Sequence, residues 1–147
     1  VLGQGLEPSM TENTDAVKRR VLADTGVWAV VGLSENTSRA AYGVAEYLRR
    51  HGKRTIPVHP SAPVIAGEQG YATLGEIPFP VDVVDLFVRS DLVGEVIDEA
   101  VKIGAGAIWT QLDVRDEAAQ ARARDAGLDV VVDACPRIDG PRLLGWR

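Results

Sequence analysis

The sequence predicts a doubly wound α/β fold, with one five-stranded parallel sheet and helices on both faces. Three observations predict it. Short apolar runs of strand length alternate with longer segments whose apolar residues recur every three or four positions. No two neighbouring strand segments are joined by a hairpin signal, so each connection is expected to cross over in the right-handed sense. Each apolar run also stops at polar or special residues, which is where such sheets place ligands. The expected strand order is 3-2-1-4-5, with the ligand crevice where the order reverses, between strands 1 and 4.

Residues 15–23 read as a leading helix with Val17, Val21 and Leu22 on one side. Residues 27–31 form the first strand, apolar throughout, as a strand buried on both faces should be. Residues 39–51 are a helix with Ala41, Val44, Ala45 and Leu48 as its stripe, stopped by Gly52. The second strand, 55–58, ends on His59-Pro60. Residues 61–80 are rich in Pro and Gly without a steady period and read as a long loop. The third strand covers 81–88. A helix over 91–103 turns Val93, Val96, Ile97, Ala100 and Val101 inward. The fourth strand is 107–110, an alanine-rich helix spans 116–126, and the fifth strand is 129–132, followed by a Cys135-Pro136 turn and a short tail. Residues 1–9 precede Met10 and carry no pattern. They read as an appended remnant or a disordered tail, with 10–147 as a single domain.

The 147 residues suffice for one core, and the composition of 46% hydrophobic and 25% charged residues is that of an ordinary globular domain. A net charge of -5 argues against nucleic acid or an anionic membrane as partner. The single cysteine, Cys135, excludes an internal disulfide framework and a cysteine-rich zinc site. No apolar stretch spans a membrane and no signal-peptide pattern is present, so a cytoplasmic location is the expectation.

The turn after the first strand, from Gly32 to Arg39, carries the strongest functional signal. A glycine bend leading into a helix N-terminus is an anion site. A dinucleotide fingerprint would place glycines where Ser34 and Thr37 stand, and an acid at the end of strand 2, where His59 stands. The NAD reading is weakened on both counts. Ser34, Thr37 and Ser38 instead offer hydroxyls and Arg39 a fixed charge, with Lys53, Arg54 and His59 close in sequence. Helix capping is the competing role for the three hydroxyl residues.

Gly32-Leu33-Ser34 with Arg39 and Tyr42, then Ile56-Pro57-Val58-His59-Pro60, Gly67 and Tyr71-Ala72-Thr73-Leu74-Gly75-Glu76-Ile77-Pro78 follow one another in a distinctive order. Val81-Asp82-Val83-Val84-Asp85-Leu86-Phe87, the run from Gly104 to Leu112, and that from Ala126 to Pro136 continue it. This ordered set resembles the small single-domain CoA-binding proteins, and through them the N-terminal CoA-binding domain of the succinyl-CoA synthetase α subunit. The resemblance implies a Rossmann-type fold that binds coenzyme A or an acyl-CoA. It implies that Gly32, Ser34, Thr37, Ser38 and Arg39 hold phosphates and that His59 and Pro60 border the nucleotide. It further implies that Phe87, Val88 and Arg89 line the adenine or pantetheine side, that Trp109, Thr110 and Gln111 give backbone contacts along the pantetheine, and that Cys135 and Pro136 close the far end. Ala40-Ala41, His59 and Ala134 depart from the family's usual residues at their positions.

Catalytic motifs are scarce. His51 ends a helix, where the dipole favours a cation. His59 is the histidine placed for acid–base work. Asp85 interrupts an apolar run and is expected to accept hydrogen bonds from a neighbouring loop, while Trp109 is expected to pack against a helix. The leading expectation is a CoA-binding, carrier or regulatory module without catalysis of its own. The alternatives are an NAD(P)-dependent oxidoreductase, and a thiol redox protein in which Cys135 exchanges with the CoA thiol. A homodimer or a protein partner is left open.

Overall fold

Five parallel strands form the sheet of the computed structural model, which describes residues 13–147. The expectations for residues 1–9 and Met10 lie outside these residues. The strands are β1 (Val27–Val31), β2 (Arg54–Val58), β5 (Val83–Leu86), β6 (Ala107–Thr110) and β7 (Asp129–Val131). The helices are α1 (Asp15–Ala23), α2 (Ala40–Arg50), α3 (Ser90–Lys102), α4 (Glu117–Asp125) and α5 (Pro136–Leu144). Two further strands, β3 (Val64–Ile65) and β4 (Glu68–Gln69), pair separately.

The sheet order is β2-β1-β5-β6-β7, every pair parallel. Strand by strand along the main sheet this is 2-1-3-4-5, not the expected 3-2-1-4-5. The reason lies in the segment after β2. It folds back along the outer edge of β2, where the Tyr71 N–H donates to the Pro57 carbonyl at 2.9 Å and the His59 N–H to the Tyr71 carbonyl at 3.0 Å. The Arg54 guanidinium holds Glu68 on the same edge at 2.8 Å. With that edge occupied, the third strand docks on the other side of β1. Asp82 fastens it there, accepting from the Gly26 and Val27 N–H groups at 2.9 and 2.8 Å. The order therefore reverses between β1 and β5, and the crevice moves with it.

The two faces hold separate apolar layers. Val84, Leu86, Ile108 and Val130 meet Val93, Ile97 and Ala100 of α3 and Ala119 and Ala123 of α4. On the other face Trp28, Val83, Trp109 and Val131 meet Val17, Val21 and Leu22 of α1 and Val44 and Leu48 of α2. Strand alternation sends successive side chains to opposite faces, so each strand feeds both layers.

Two expectations about the chain ends and loops are corrected. Residues 61–80 contain the antiparallel β3–β4 hairpin, closed by Ala66 and Gly67 at φ of 53° and 77°. Two successive positive φ values make the tight hairpin turn that an Ala-Gly pair does not advertise. The tail after Cys135 is a helix, α5, entered through Pro136 in its first turn. Gly140 and Pro141 read as breakers, yet Arg142 clamps the helix to the rest of the fold, donating to Asp15 of α1 at 2.9 and 3.0 Å and to Asp139 at 2.8 Å.

Gly32 sits where β1 leaves the sheet, at a φ of 101°. A Cβ on it would lie 2.4 Å from the Phe87 carbonyl oxygen at the end of β5. Gly32→Ala should therefore lower stability by about 2 kcal/mol or more, the left-handed conformation and the backbone clash acting together. Thermal unfolding of the variant checks this; an unchanged melting temperature would contradict the close approach.

Candidate functional site

A cavity of about 930 Å³ opens over the carboxyl ends of the strands at the β1/β5 reversal. Every strand of the main sheet contributes to its wall. His59 follows β2; Gly32, Ser34, Asn36 and Arg39 follow β1; Phe87, Val88 and Arg89 follow β5; Gln111 follows β6; Cys135 follows β7. The first turns of α2 and α3 add Ala40, Ala41 and Leu92, and Val44, Leu112 and Val114 complete the wall.

The turn after β1 is shaped by its own polar groups. The Gly32 N–H donates to the Val58 carbonyl at 2.8 Å, and the Asn36 N–H donates to Ser34 Oγ at 3.2 Å. Asn36 Oδ1 receives the Ser38 N–H and hydroxyl at 3.0 and 2.6 Å. The cap position of α2 belongs to Arg39, with no side-chain cap bond. The hydroxyls thus do not cap the helix; the Tyr42 N–H turns back to the Arg39 carbonyl at 3.1 Å, which leaves the N–H groups of the small Ala40 and Ala41 at the open end of α2. No acidic residue stands in that turn. Thr37 and Ser38 are exposed on the same loop, just outside the cavity wall.

His59 receives the Ser61 N–H on Nδ1 at 3.1 Å, with Ser61 Oγ 2.8 Å from the same atom. That leaves the ring proton on Nε2, so His59 is a donor toward a ligand. Lys53 and Arg54 do not join it. Lys53 precedes β2 and Arg54 starts it, at the opposite end of the strand from His59, and they serve the Thr25 carbonyl and Glu68. Pro60 is exposed next to His59 but off the wall.

Beneath Gln111 lies a buried acid. Asp85 is fully buried in β5, and its Oδ1 accepts from Gln111 Nε2 at 2.6 Å while Oδ2 has no protein partner. Burial pushes its carboxyl up to about 8, against the opposing pull of the Gln111 and Leu86 N–H donors. Asp85 is therefore held neutral at pH 7, and it orients Gln111 at the cavity floor. The expected bond to Asp85 from a neighbouring loop is thus found, and its donor is Gln111 after β6, 26 residues away, which the sequence does not single out as the partner.

Cys135 is half-buried on the wall, and burial pushes its thiol up, partly offset by the Arg137 and Ile138 N–H groups. It is a thiol rather than a thiolate at neutral pH. Pro136 starts α5 and is buried away from the cavity. Trp109 and Thr110 also face the core. Trp109 packs on Trp28 at 5.8 Å and donates from Nε1 to the Ala134 carbonyl at 3.0 Å, while Thr110 Oγ1 donates to the Val114 carbonyl at 2.7 Å. His51 caps the C-terminus of α2, as expected, but not as a favoured cation. It stacks on Trp146 at 4.5 Å, and burial together with Arg50 lowers its pKa.

Sequence reasoning missed Asn36, Ala40, Ala41, Val44, Leu92 and Val114 as wall residues. The signal available was phase: Leu92 falls outside the buried stripe of its helix.

A family model described as "CoA binding domain" matches residues 26–141. The uncharacterized protein YneT of Bacillus subtilis is 31% identical over 110 residues, covering 75% of this chain and 82% of YneT. The solved structure of a hypothetical protein from Pyrococcus horikoshii is 36% identical, with a TM-score of 0.84 over 90% of this chain and 93% of that one. A dinucleotide forming acetyl-coenzyme A synthetase from Ca. Korarchaeum cryptofilum, solved in complex with phosphate and ADP, is 26% identical with a TM-score of 0.64. That match covers 76% of this chain and 26% of the synthetase. The likeness thus stands at the level of the CoA-binding domain, and the synthetase in these matches is an acetyl-CoA rather than a succinyl-CoA enzyme.

Two outcomes follow from the buried groups. Asp85 holds a proton when folded that it releases when unfolded, over the interval from its ordinary 3.8 to about 8. The contribution of this site to stability is therefore fully present below that interval and is lost as pH rises through it, at about 1.4 kcal/mol per pH unit. Asp85→Asn should flatten this fall and be the more stable protein at pH 8; parallel denaturation curves at pH 5 and 8 would contradict it. Cys135 should react with iodoacetamide at pH 7 at least severalfold more slowly than free cysteine, as followed by mass spectrometry.

Proposed function

This chain belongs to the CoA-binding domain family, and from that membership we propose that it binds coenzyme A or an acyl-CoA in the cavity over the carboxyl strand ends, as a carrier or regulatory module without catalysis of its own. The observation that carries the reading is the uncapped N-terminus of α2, opening into a cavity that the Gly32 bend admits and Arg39 and His59 border. Phosphates placed there meet backbone N–H groups, the positive end of the helix and two side-chain donors. Ser34, Thr37 and Ser38 add hydroxyls around the same turn. The pantetheine arm then runs past Phe87, Val88 and Arg89 toward Gln111, with Cys135 at the far side. Gln111, among the lining residues, is already held by Asp85.

A non-catalytic role rests on the side chains available. Among the described residues, the titratable groups on the cavity wall are Arg39, His59, Arg89 and Cys135. Cys135 is held as a thiol and Asp85 is shut beneath the floor. His59 has its Nδ1 engaged by Ser61, which leaves it a donor and not a base. This favours binding over acid–base chemistry, and the protonated thiol weighs against the redox reading of Cys135. The NAD(P) alternative still lacks the acid at the end of β2 and the second and third glycines of the turn.

Calorimetry with CoA, acetyl-CoA, NAD and NADP tests the proposal. Binding of the CoA species is expected, weakened by about tenfold in Arg39→Ala, which corresponds to about 1.4 kcal/mol. Absence of heat with both CoA species would overturn it, and hydride transfer with a bound nicotinamide would establish the alternative.

A further inference from the structure

The cavity is polarised along the sheet edge. Its wall follows the strand order, so His59 after β2 and the Ser34–Arg39 turn after β1 lie at one side, and Leu92, Leu112 and Val114 after β5 and β6 lie toward the other. The first side is cationic and rich in donors. The second adds these aliphatic side chains beside Gln111 and Arg89, the latter paired with Asp91 at 3.2 Å, and its two leucines are open to solvent, Leu92 at 43% and Leu112 at 51% of full exposure.

Neither leucine serves the fold. The buried stripe of α3 is filled by Val93, Ile97 and Ala100, and Leu92 lies off it. The turn after β6 is held by polar bonds that bypass Leu112: the Val114 N–H donates to the Gln111 carbonyl at 3.0 Å, and Thr110 Oγ1 to the Val114 carbonyl at 2.7 Å. Scattered exposed leucines need no explanation, but two on the wall of one concave site mark a surface that is covered when the site is filled. A coenzyme anchored by its phosphates at the β1 turn sends its thiol end toward β6. Free CoA would end there in a small polar thiol and leave both leucines wet.

We infer that the ligand is a CoA thioester of an aliphatic acyl group longer than acetyl, and that Leu92 and Leu112 are the side chains that read its chain. This rests on the CoA reading above and deepens it. The occupant is an acyl chain because the apolar surface is continuous with the cavity whose other side suits the phosphates.

The test is a calorimetric series with CoA, acetyl-, butyryl- and octanoyl-CoA on the wild-type chain and on the Leu92→Ser/Leu112→Ser double variant. Affinity should rise about two- to fourfold per methylene beyond acetyl until the leucines are covered. In the double variant the octanoyl-to-acetyl ratio should fall to near one. Equal affinity across the wild-type series overturns the inference while leaving CoA binding intact. A chain-length gain that persists in the folded double variant overturns the assignment to these leucines. A wild-type dimer that the double variant dissolves in sedimentation, with no chain-length effect, gives the surface to a second copy and overturns it too. No binding of any CoA species removes the CoA reading itself, and this inference with it. Because the wild-type series stands alone, a variant that fails to fold does not shield the inference.

Discussion

The close approach of the β1 turn to the end of β5 is the constraint on which the rest depends. Gly32 has room for no side chain against the Phe87 carbonyl, and its N–H is spent on Val58. The chain can therefore leave β1 sharply and enter α2 on one face, while β5 leads into α3 on the other. The helices diverge from adjacent strands, and the gap between their first turns is the cavity.

The edge of β2 determines where that gap falls. Parallel strands bury their faces and leave only edges to be managed. Here the segment containing Tyr71 and Glu68 takes the outer edge of β2, and the next strand of the sheet, β5, docks on the other edge of β1. Pro57 within β2 fits an edge strand, since it has no N–H to give a second neighbour. A loop that looks incidental thus sets the strand order, and with it the neighbours of the Gly32 turn: β2 with His59 on one side, β5 with Phe87 to Arg89 on the other.

Asp85 shows the cost of a polar group in such a sheet. It sits between Val30 and Trp109 across the strands, in a position that periodicity would give to an aliphatic residue. Remaining neutral is cheaper there than ionising. Its side-chain hydrogen bond comes from Gln111, which lines the cavity. The acid is thus a fold-level expense that orients a cavity side chain, and local rules fail at functional positions for reasons of this kind.

Much of the architecture was legible because it is local. The helix over 15–23 is found with those bounds, and the helices around Val44, Ile97 and Ala123 and all five strands of the sheet appear within about two residues of their expected ends. Periodicity and caps act within one or two turns, so the residues themselves carry them. Gly32, Ser34, Arg39, His59, Phe87 to Arg89, Gln111 and Cys135 meet on one wall for the same reason: each follows a strand, and strand ends converge in a parallel sheet. What only the tertiary structure decided depends on partners distant in sequence. The strand order needed the pairing of Tyr71 with Pro57. The helix after Cys135 needed Arg142 to find Asp15 across 127 residues. Trp109 and Thr110 turned inward because Trp28 and Val114 were there to receive them. Leu92 and Leu112 became a surface only when two separate turns were brought to the same cavity.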